Sequence, residues 1–394
     1  MSSDNFDVIV SGAGLVGACT ALAFAGKGFR VAIVEAAVPP ESIDSSADGY
    51  DLRVSAISPR SRGILQQLGV WQQLADERVC YYEQMHIWHQ HGQASVAFDA
   101  VDLARDNLGA IVENRLLQQA LYQACKGESR VEWFMPDHIE ILLENDTEGV
   151  ELRLDSGRCL NAGLLIAADG RHSPTRALAG IDAQSGQYQQ TAIVANVDTE
   201  YPHCHTAWQR FLSTGPLAFL PLANGQSSIV WSCDNDFAAQ LANATDDEFC
   251  DALGEAFEFK LGRVSGCSAR MSFALGWHHC EHWVKDRVLL IGDAAHSVHP
   301  LAGQGVNLGF SDIEVLAQLV GDRSSSIPQK QLRRYERQRK SETWLASSSF
   351  SALKWIYGLD QNWINQLRNL GMRVVDETPW FKRILLKKAI HNLT

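Results

Sequence analysis

The sequence predicts an α/β fold in which a mostly parallel sheet is interleaved with a second, antiparallel-sheet domain of α+β character, followed by C-terminal helices. Three observations predict it. The N-terminus is a compact βαβ unit. Four continuous apolar runs, at 7–11, 29–35, 163–168 and 288–291, have the character of strands buried on both faces of a parallel sheet. Alternating or aromatic-rich runs at 81–98 and 190–233 fall between them and suit a more open antiparallel sheet. The expected partition is 1–80, 105–185 and 285–335 for the first domain, 81–104 and 186–284 for the second, and 336–394 for the C-terminal helical region.

In order along the chain, Asp7–Ser11 (DVIVS) is a short β-branched strand, and Leu15–Lys27, rich in Ala and Leu, is the helix after a glycine turn. Phe29–Glu35 closes the unit as a second strand. Ser61–Leu74 reads as helix, Met85–Trp88 and Ser95–Phe98 as two strands around a turn, and Glu113–Cys125 as a helix with Leu117, Leu121 and Ala124 on one face. Val150–Leu154 and Cys159–Ala167 are strands joined by Asp155-Ser156-Gly157. Asp246–Phe257 is helical, Val288–Ile291 is a buried strand, Val306–Val320 is a helix, and 332–390 is mostly helical.

The 394 residues carry 46% hydrophobic and 20% charged side chains, enough for a large core and far from disordered composition. A net charge of −12 argues against a nucleic-acid partner. The charge is uneven, because Gln331–Thr394 is basic and the rest correspondingly more acidic. Nine scattered cysteines without a CxxC pair argue against a disulfide framework or a metal site and fit a reducing, cytoplasmic setting. Neither a secretory leader nor an 18-residue apolar run is expected.

Gly12-Ala13-Gly14-Leu15-Val16-Gly17 fits GxGxxG in the context that gives it meaning: a strand before, a helix after, and a second strand ending in Glu35. Gly12 permits the tight turn, Gly14 lets backbone N–H groups approach a pyrophosphate, and Gly17 lets the helix pack close to the sheet. Glu35, 23 residues past Gly12, suits an adenosine ribose. This marks a Rossmann-like dinucleotide site without deciding between FAD and NAD. Gly292-Asp293-Ala294-Ala295-His296 follows a buried strand, so Asp293 faces the same crevice and can bind hydroxyls of a ribityl chain, which only FAD has. Gly303-Gln304-Gly305-Val306-Asn307 then opens a helix whose N–H groups suit a negatively charged flavin. Ala168-Asp169-Gly170 ends a third apolar strand.

These three signatures in this order, GAGLVG, ADG and GDAAHSVHPLAGQGVNLG, resemble those of the class A FAD-dependent aromatic hydroxylases, with the p-hydroxybenzoate hydroxylase-like fold. Leu52–Ser58, Val112-Glu113-Asn114 and His299–Gly309 look like the ubiquinone-biosynthesis hydroxylases among them, the 2-polyprenylphenol hydroxylase-like enzymes. The resemblance implies that Gly12, Ala13, Gly14 and Gly17 hold the FAD pyrophosphate, Glu35 the ribose and Asp293 the ribityl chain. It places Arg53 near the phosphates, Arg115 against the flavin, Asp169 in the middle signature, and Pro300 with Gly303–Asn307 along the isoalloxazine. It further implies NAD(P)H as donor, O2 as co-substrate, and hydroxylation of a polyprenylated phenol through a flavin C4a-hydroperoxide.

His299, beside Pro300, is the candidate proton carrier for the phenol. Phe211, Phe219 and Trp231 are candidates for an apolar substrate wall. The basic C-terminal region, with Trp363, Leu367, Leu370 and Val374 in one helical stripe and Trp380–Lys388 mixing aromatic, aliphatic and cationic residues, suits peripheral contact with the inner face of a membrane. Packing on its own acidic body, on a second copy or in a ubiquinone-biosynthesis complex is the alternative. Hydroxylation of a small soluble phenol, or a flavin reductase or scaffold role in a lipid-biosynthetic complex, are the competing functions.

Overall fold

Asp4–Ser11 is the middle strand of a five-strand parallel core, ordered Val288–Leu290, Cys159–Ala167, Asp4–Ser11, Val31–Val34, Val131–Phe134. The structure, a computed structural model, describes residues 4–39, 49–90, 95–297, 305–323 and 327–358, with 376, 378, 380, 382 and 383, and only the backbone over 346–358. The helix Leu15–Gly26 covers one side of this core. Its eight buried residues are Gly17, Ala18, Cys19, Thr20, Ala21, Leu22, Phe24 and Ala25, so it is apolar nearly all round and wedged between the sheet and other helices. Antiparallel strands extend the sheet: Val150–Leu154 pairs with the start of Cys159–Ala167, Ile139–Asn145 pairs with Val150–Leu154, and Val284–Lys285 pairs with Val288–Leu290.

A second, nine-stranded sheet carries the aromatic-rich runs. Ala183–Thr199 is its longest member, flanked by Met271–Cys280 and Ser227–Asp234. The sheet continues through Gly215–Pro221 and Thr206–Leu212 to Gln84–His89 and Ser95–Asp99. It is antiparallel except where Thr206–Leu212 runs parallel to Gln84–His89, a join between strands more than a hundred residues apart. Its outer face packs on the helices Asn235–Asn243 and Asp246–Ala256, the latter opened by a capping box between Thr245 and Glu248. The mixed α/β architecture read from the sequence is therefore present, and the chain passes repeatedly between the two sheets.

Several elements differ from expectation. The helix expected over Ser61–Leu74 stops at Gln67, because Gly69 adopts φ +69°, and Trp71–Gln73 forms a separate 3-10 turn. Val131–Phe134 and Ile139–Asn145 are strands without a sequence expectation. Val54–Ile57, Gly109–Glu113 and Cys80–Tyr82 form a small third sheet. The helix Gln329–Gly358 covers the start of the predicted C-terminal helices; the stripe from Trp363 to Val374 lies outside the described residues.

Candidate active site

The parallel core aligns its signatures. Leu290, Ala167, Ser11 and Val34 stand in one register row across four neighbouring strands. Gly12, Glu35, Asp169 and Asp293 each follow within three residues, so all four are delivered to the carboxyl edge of one sheet. This is the edge where open α/β sheets bind ligands. A crevice of about 740 Å³ opens there, between this edge and the inner face of the nine-stranded sheet.

The three glycines do three different things. Gly12 has φ +94°, and a Cβ on it would lie 2.7 Å from the Ala168 carbonyl oxygen. A Cβ on Gly17 would lie 2.0 Å from the Gly12 carbonyl oxygen, so the helix approaches the turn as closely as it can. Gly14 is the opposite case: it lines the crevice and nothing lies within 4 Å of where its Cβ would be. It is also the N-cap of Leu15–Gly26 and offers no side chain to the helix's first N–H groups. An uncapped helix N-terminus facing open space is a site for a diphosphate. Glu35 accepts from the Ala13 N–H at 2.6 Å and the Ala37 N–H at 3.0 Å, and Gln118 Nε2 donates to the Ala13 carbonyl. Ala13 is thus held from both sides.

Arg53, Arg115 and Arg171 line the crevice. Arg115 is tethered, donating to Glu113 and to the Gly49 carbonyl at 3.0 Å. Glu113 is 1% exposed and also takes two 2.8 Å bonds from Arg78 and one of 2.7 Å from the Asp51 N–H. That buried carboxylate organises the segment that presents Arg53. It stands in the Val112-Glu113-Asn114 motif, but its partners lie up to 62 residues away and no sequence spacing reveals them.

Asp293 opens into the crevice while the crevice walls enclose it. That enclosure raises its carboxyl above the ordinary value, against the lowering pull of His296, Arg171 and Arg53. Asp169 is turned to its own loop: it accepts from the Ser173 hydroxyl and, at 3.0 Å, from the Thr175 N–H, leaving Gly170 and Arg171 to face the crevice. Gly305 and Val306 line the crevice at the start of Gly305–Val320. Asn307 corrects the expectation that 303–307 lines the flavin throughout. It is buried, and its amide group bridges the Ser58 N–H (2.9 Å) and the Ala56 carbonyl (2.7 Å), clamping the helix to the small third sheet. His299, Pro300, Gly303 and Gln304 lie outside the described residues.

The substrate wall is also corrected. Phe219 and Trp231 are 1% exposed and belong to the cluster between the nine-stranded sheet and its covering helices. Phe219 stacks on Phe257 at 3.9 Å, and Trp231 meets Phe237 edge-on. Phe211, also buried, is absent from the crevice lining. Side chains alternate along a strand, so the crevice receives the neighbours: Val230 beside Trp231, and Val194, Phe273 and Leu275 from adjoining strands.

The chain matches the FAD binding domain family over residues 5–348. It belongs to that family. The 3-demethoxyubiquinol 3-hydroxylase of Escherichia coli (strain K12) is 34% identical over 396 residues, covering 99% of this chain and 100% of the relative. The human mitochondrial ubiquinone biosynthesis monooxygenase COQ6 is 33% identical over 442 residues, covering 98% and 92%. In fold alone, the p-nitrophenol 4-monooxygenase PnpA from Pseudomonas putida DLL-E4 is similar with a TM-score of 0.77 at 18% identity, covering 99% of each chain. The chain is an FAD-dependent monooxygenase, with NAD(P)H as donor and O2 as co-substrate, as its signatures implied. The uncapped helix, the open space at Gly14, the crevice-facing arginines and Asp293 fit FAD.

Proposed function

We propose that this monooxygenase hydroxylates the aromatic ring of a polyprenylated phenol in ubiquinone biosynthesis. The observation that carries the reading is the two-sided crevice: a polar rim of strand ends on one side and an apolar sheet wall of Val194, Val230, Phe273 and Leu275 on the other. Full-length similarity to two ubiquinone-pathway hydroxylases supports it.

FAD supplies the redox and oxygen-activating chemistry when bound. The chain's own residues bind, orient and exclude water. The N-terminus of Leu15–Gly26 and Arg53 hold the pyrophosphate, Glu35 the ribose, Asp293 the ribityl hydroxyls, and Arg115 and the N-terminus of Gly305–Val320 the ring system. Asp169 shapes the turn that presents Gly170 and Arg171. The apolar wall holds a hydrophobic ring in a dry site, and His299 carries the phenol proton, with Pro300 beside it. Among the described residues, no helix is long and apolar enough to cross a membrane.

The substrate's prenyl chain gives the basic C-terminal region a purpose as a peripheral contact with anionic lipid. Trp344, on Gln329–Gly358, is 70% exposed, as a membrane-facing aromatic would be. Removing Trp380–Thr394, which holds four Lys and Arg, is expected to weaken flotation with anionic vesicles by on the order of tenfold or more at low salt, each cation contributing about 1 kcal/mol. Equal flotation of full-length and shortened protein would contradict the membrane contact.

The function is tested by mass spectrometry of quinone precursors in a strain lacking the gene. A precursor short of one ring hydroxyl is expected to accumulate and to be cleared by the wild-type gene but not by Asp293→Ala. An unchanged precursor profile would contradict the reading.

A further inference from the structure

The turn that carries Asp293 is held from behind. Asp312, in Gly305–Val320, is 0% exposed and lies outside the crevice lining. Its Oδ2 accepts from the Gly292 N–H at 2.9 Å and lies 2.8 Å from His296 Nε2. One carboxylate oxygen therefore pins both ends of the five-residue turn. Its Oδ1 accepts from Arg339 Nε at 2.6 Å. Arg339, itself 1% exposed, projects from Gln329–Gly358, pairs with Glu342 and reaches the Leu308 carbonyl at 3.4 Å.

The same helix grips the strand that feeds the turn. Tyr335 donates to the Leu290 carbonyl at 3.1 Å, and Glu336 accepts from the Trp283 N–H at 2.7 Å. Trp283 in turn stacks on the His296 ring, centroids 4.8 Å apart. Arg339 lies four residues after Tyr335 and three after Glu336, so each of the two neighbours it along the helix surface. Arg339, Asp312 and His296 are all buried, and the carboxylate is held at both oxygens, Oδ2 by Gly292 and His296 and Oδ1 by Arg339, so it locates the turn rather than merely neutralising charge.

We propose that Arg339 is a positioning residue for FAD: through Asp312 it sets the turn that aims Asp293, and so couples the C-terminal helix to flavin affinity. This rests on the reading of Asp293 as a flavin-binding residue. Arg339 is not itself among the residues that line the crevice; it reaches that side through Asp312 and the turn, and through the carbonyl of Leu308, which does line it.

The test is titration of apoprotein with FAD, followed by flavin fluorescence, for wild type, Arg339→Met, Arg339→Lys and Asp293→Ala, with melting curves of each apoprotein. Arg339→Met is expected to weaken FAD binding roughly 10- to 100-fold, the scale of a lost hydrogen bond to a charged group. Arg339→Lys, which keeps the cation and loses the planar fork, is expected to fall between it and wild type. Wild-type affinity in Arg339→Met while Asp293→Ala loses FAD would overturn the relay and leave the Asp293 reading standing. Retained FAD in Asp293→Ala would overturn that reading, and the relay's route with it. A loss in Arg339→Met that Arg339→Lys does not relieve, or that coincides with unfolded apoprotein at the titration temperature, would reduce Arg339 to a structural role and overturn the proposal.

Discussion

Gly14→Val is expected to fold as apoprotein with an unchanged melting temperature and to bind no measurable FAD. The two halves of this expectation have separate causes. Within the protein nothing lies within 4 Å of a Cβ at position 14, and its backbone is extended (φ −63°, ψ −177°), so a Cβ there meets no steric objection from the fold. The same empty space is where a diphosphate must come to reach the N–H groups that open Leu15–Gly26, and two methyl groups fill it. The check pairs the ratio of flavin to protein absorbance with a thermal melt. A valine protein that retained flavin would mean that the pyrophosphate binds elsewhere.

Gly17→Ala is expected to damage both properties at once. Its single added carbon would sit 2.0 Å from the Gly12 carbonyl oxygen and 3.2 Å from the Ala168 Cβ, and the first of these is backbone at the tight turn. Relief requires the helix to move away from the sheet, which opens the packing of a helix with eight buried positions. Overpacking of this kind costs about 1–3 kcal/mol or more. Relieving a 2.0 Å contact takes a shift of about an ångström, which also misaligns the helix N-terminus. The melting temperature should fall by several degrees and flavin occupancy below about a tenth of wild type, on the scale that such ΔΔG values imply. A melting temperature equal to that of Gly14→Val would show that the turn yields more easily than its geometry indicates. Together the two variants separate the glycine that makes room for the ligand from the glycine that makes room for the helix.

Much of this site is legible in one dimension because it is built from short-range signatures at strand ends. Gly12, Glu35, Asp169 and Asp293 each follow an apolar run directly. Parallel strands in register then carry them to one edge without further information, and the family likeness follows from the same residues. What escapes the sequence is of two kinds. The first is pairing across long separations: Glu113 with Arg78 and Asp51, Asp312 with Arg339, and Gln84–His89 with Thr206–Leu212. A buried carboxylate looks like any other acid until the fold supplies its partners. The second is facing. Alternation along Ser227–Asp234 predicts that Trp231 and Val230 point opposite ways, but not which of them meets the crevice. The larger aromatics are expected there on chemical grounds, yet they pack under the helices, where a broad ring buries most area, and the smaller Val230 and Val194 face the cofactor side. Asn307 is a third instance, a polar residue in a cofactor motif whose amide is consumed by the backbone of Ala56 and Ser58.

The acidic body and basic C-terminal region acquire a physical connection through Gln329–Gly358. Its Tyr335, Glu336 and Arg339 hold the flavin-side turn, and the chain beyond it carries the cations that suit anionic lipid.

The most direct measurement of the central claim is a single-turnover reaction under 18O2. Purified protein reconstituted with FAD is supplied with NAD(P)H and a prenylated phenol in vesicles, and the product is analysed by mass spectrometry. The account predicts one 18O atom in a new ring hydroxyl for each NAD(P)H oxidised, and none with Asp293→Ala. NAD(P)H oxidation with no labelled oxygen in the ring, in protein shown to hold FAD, would contradict it.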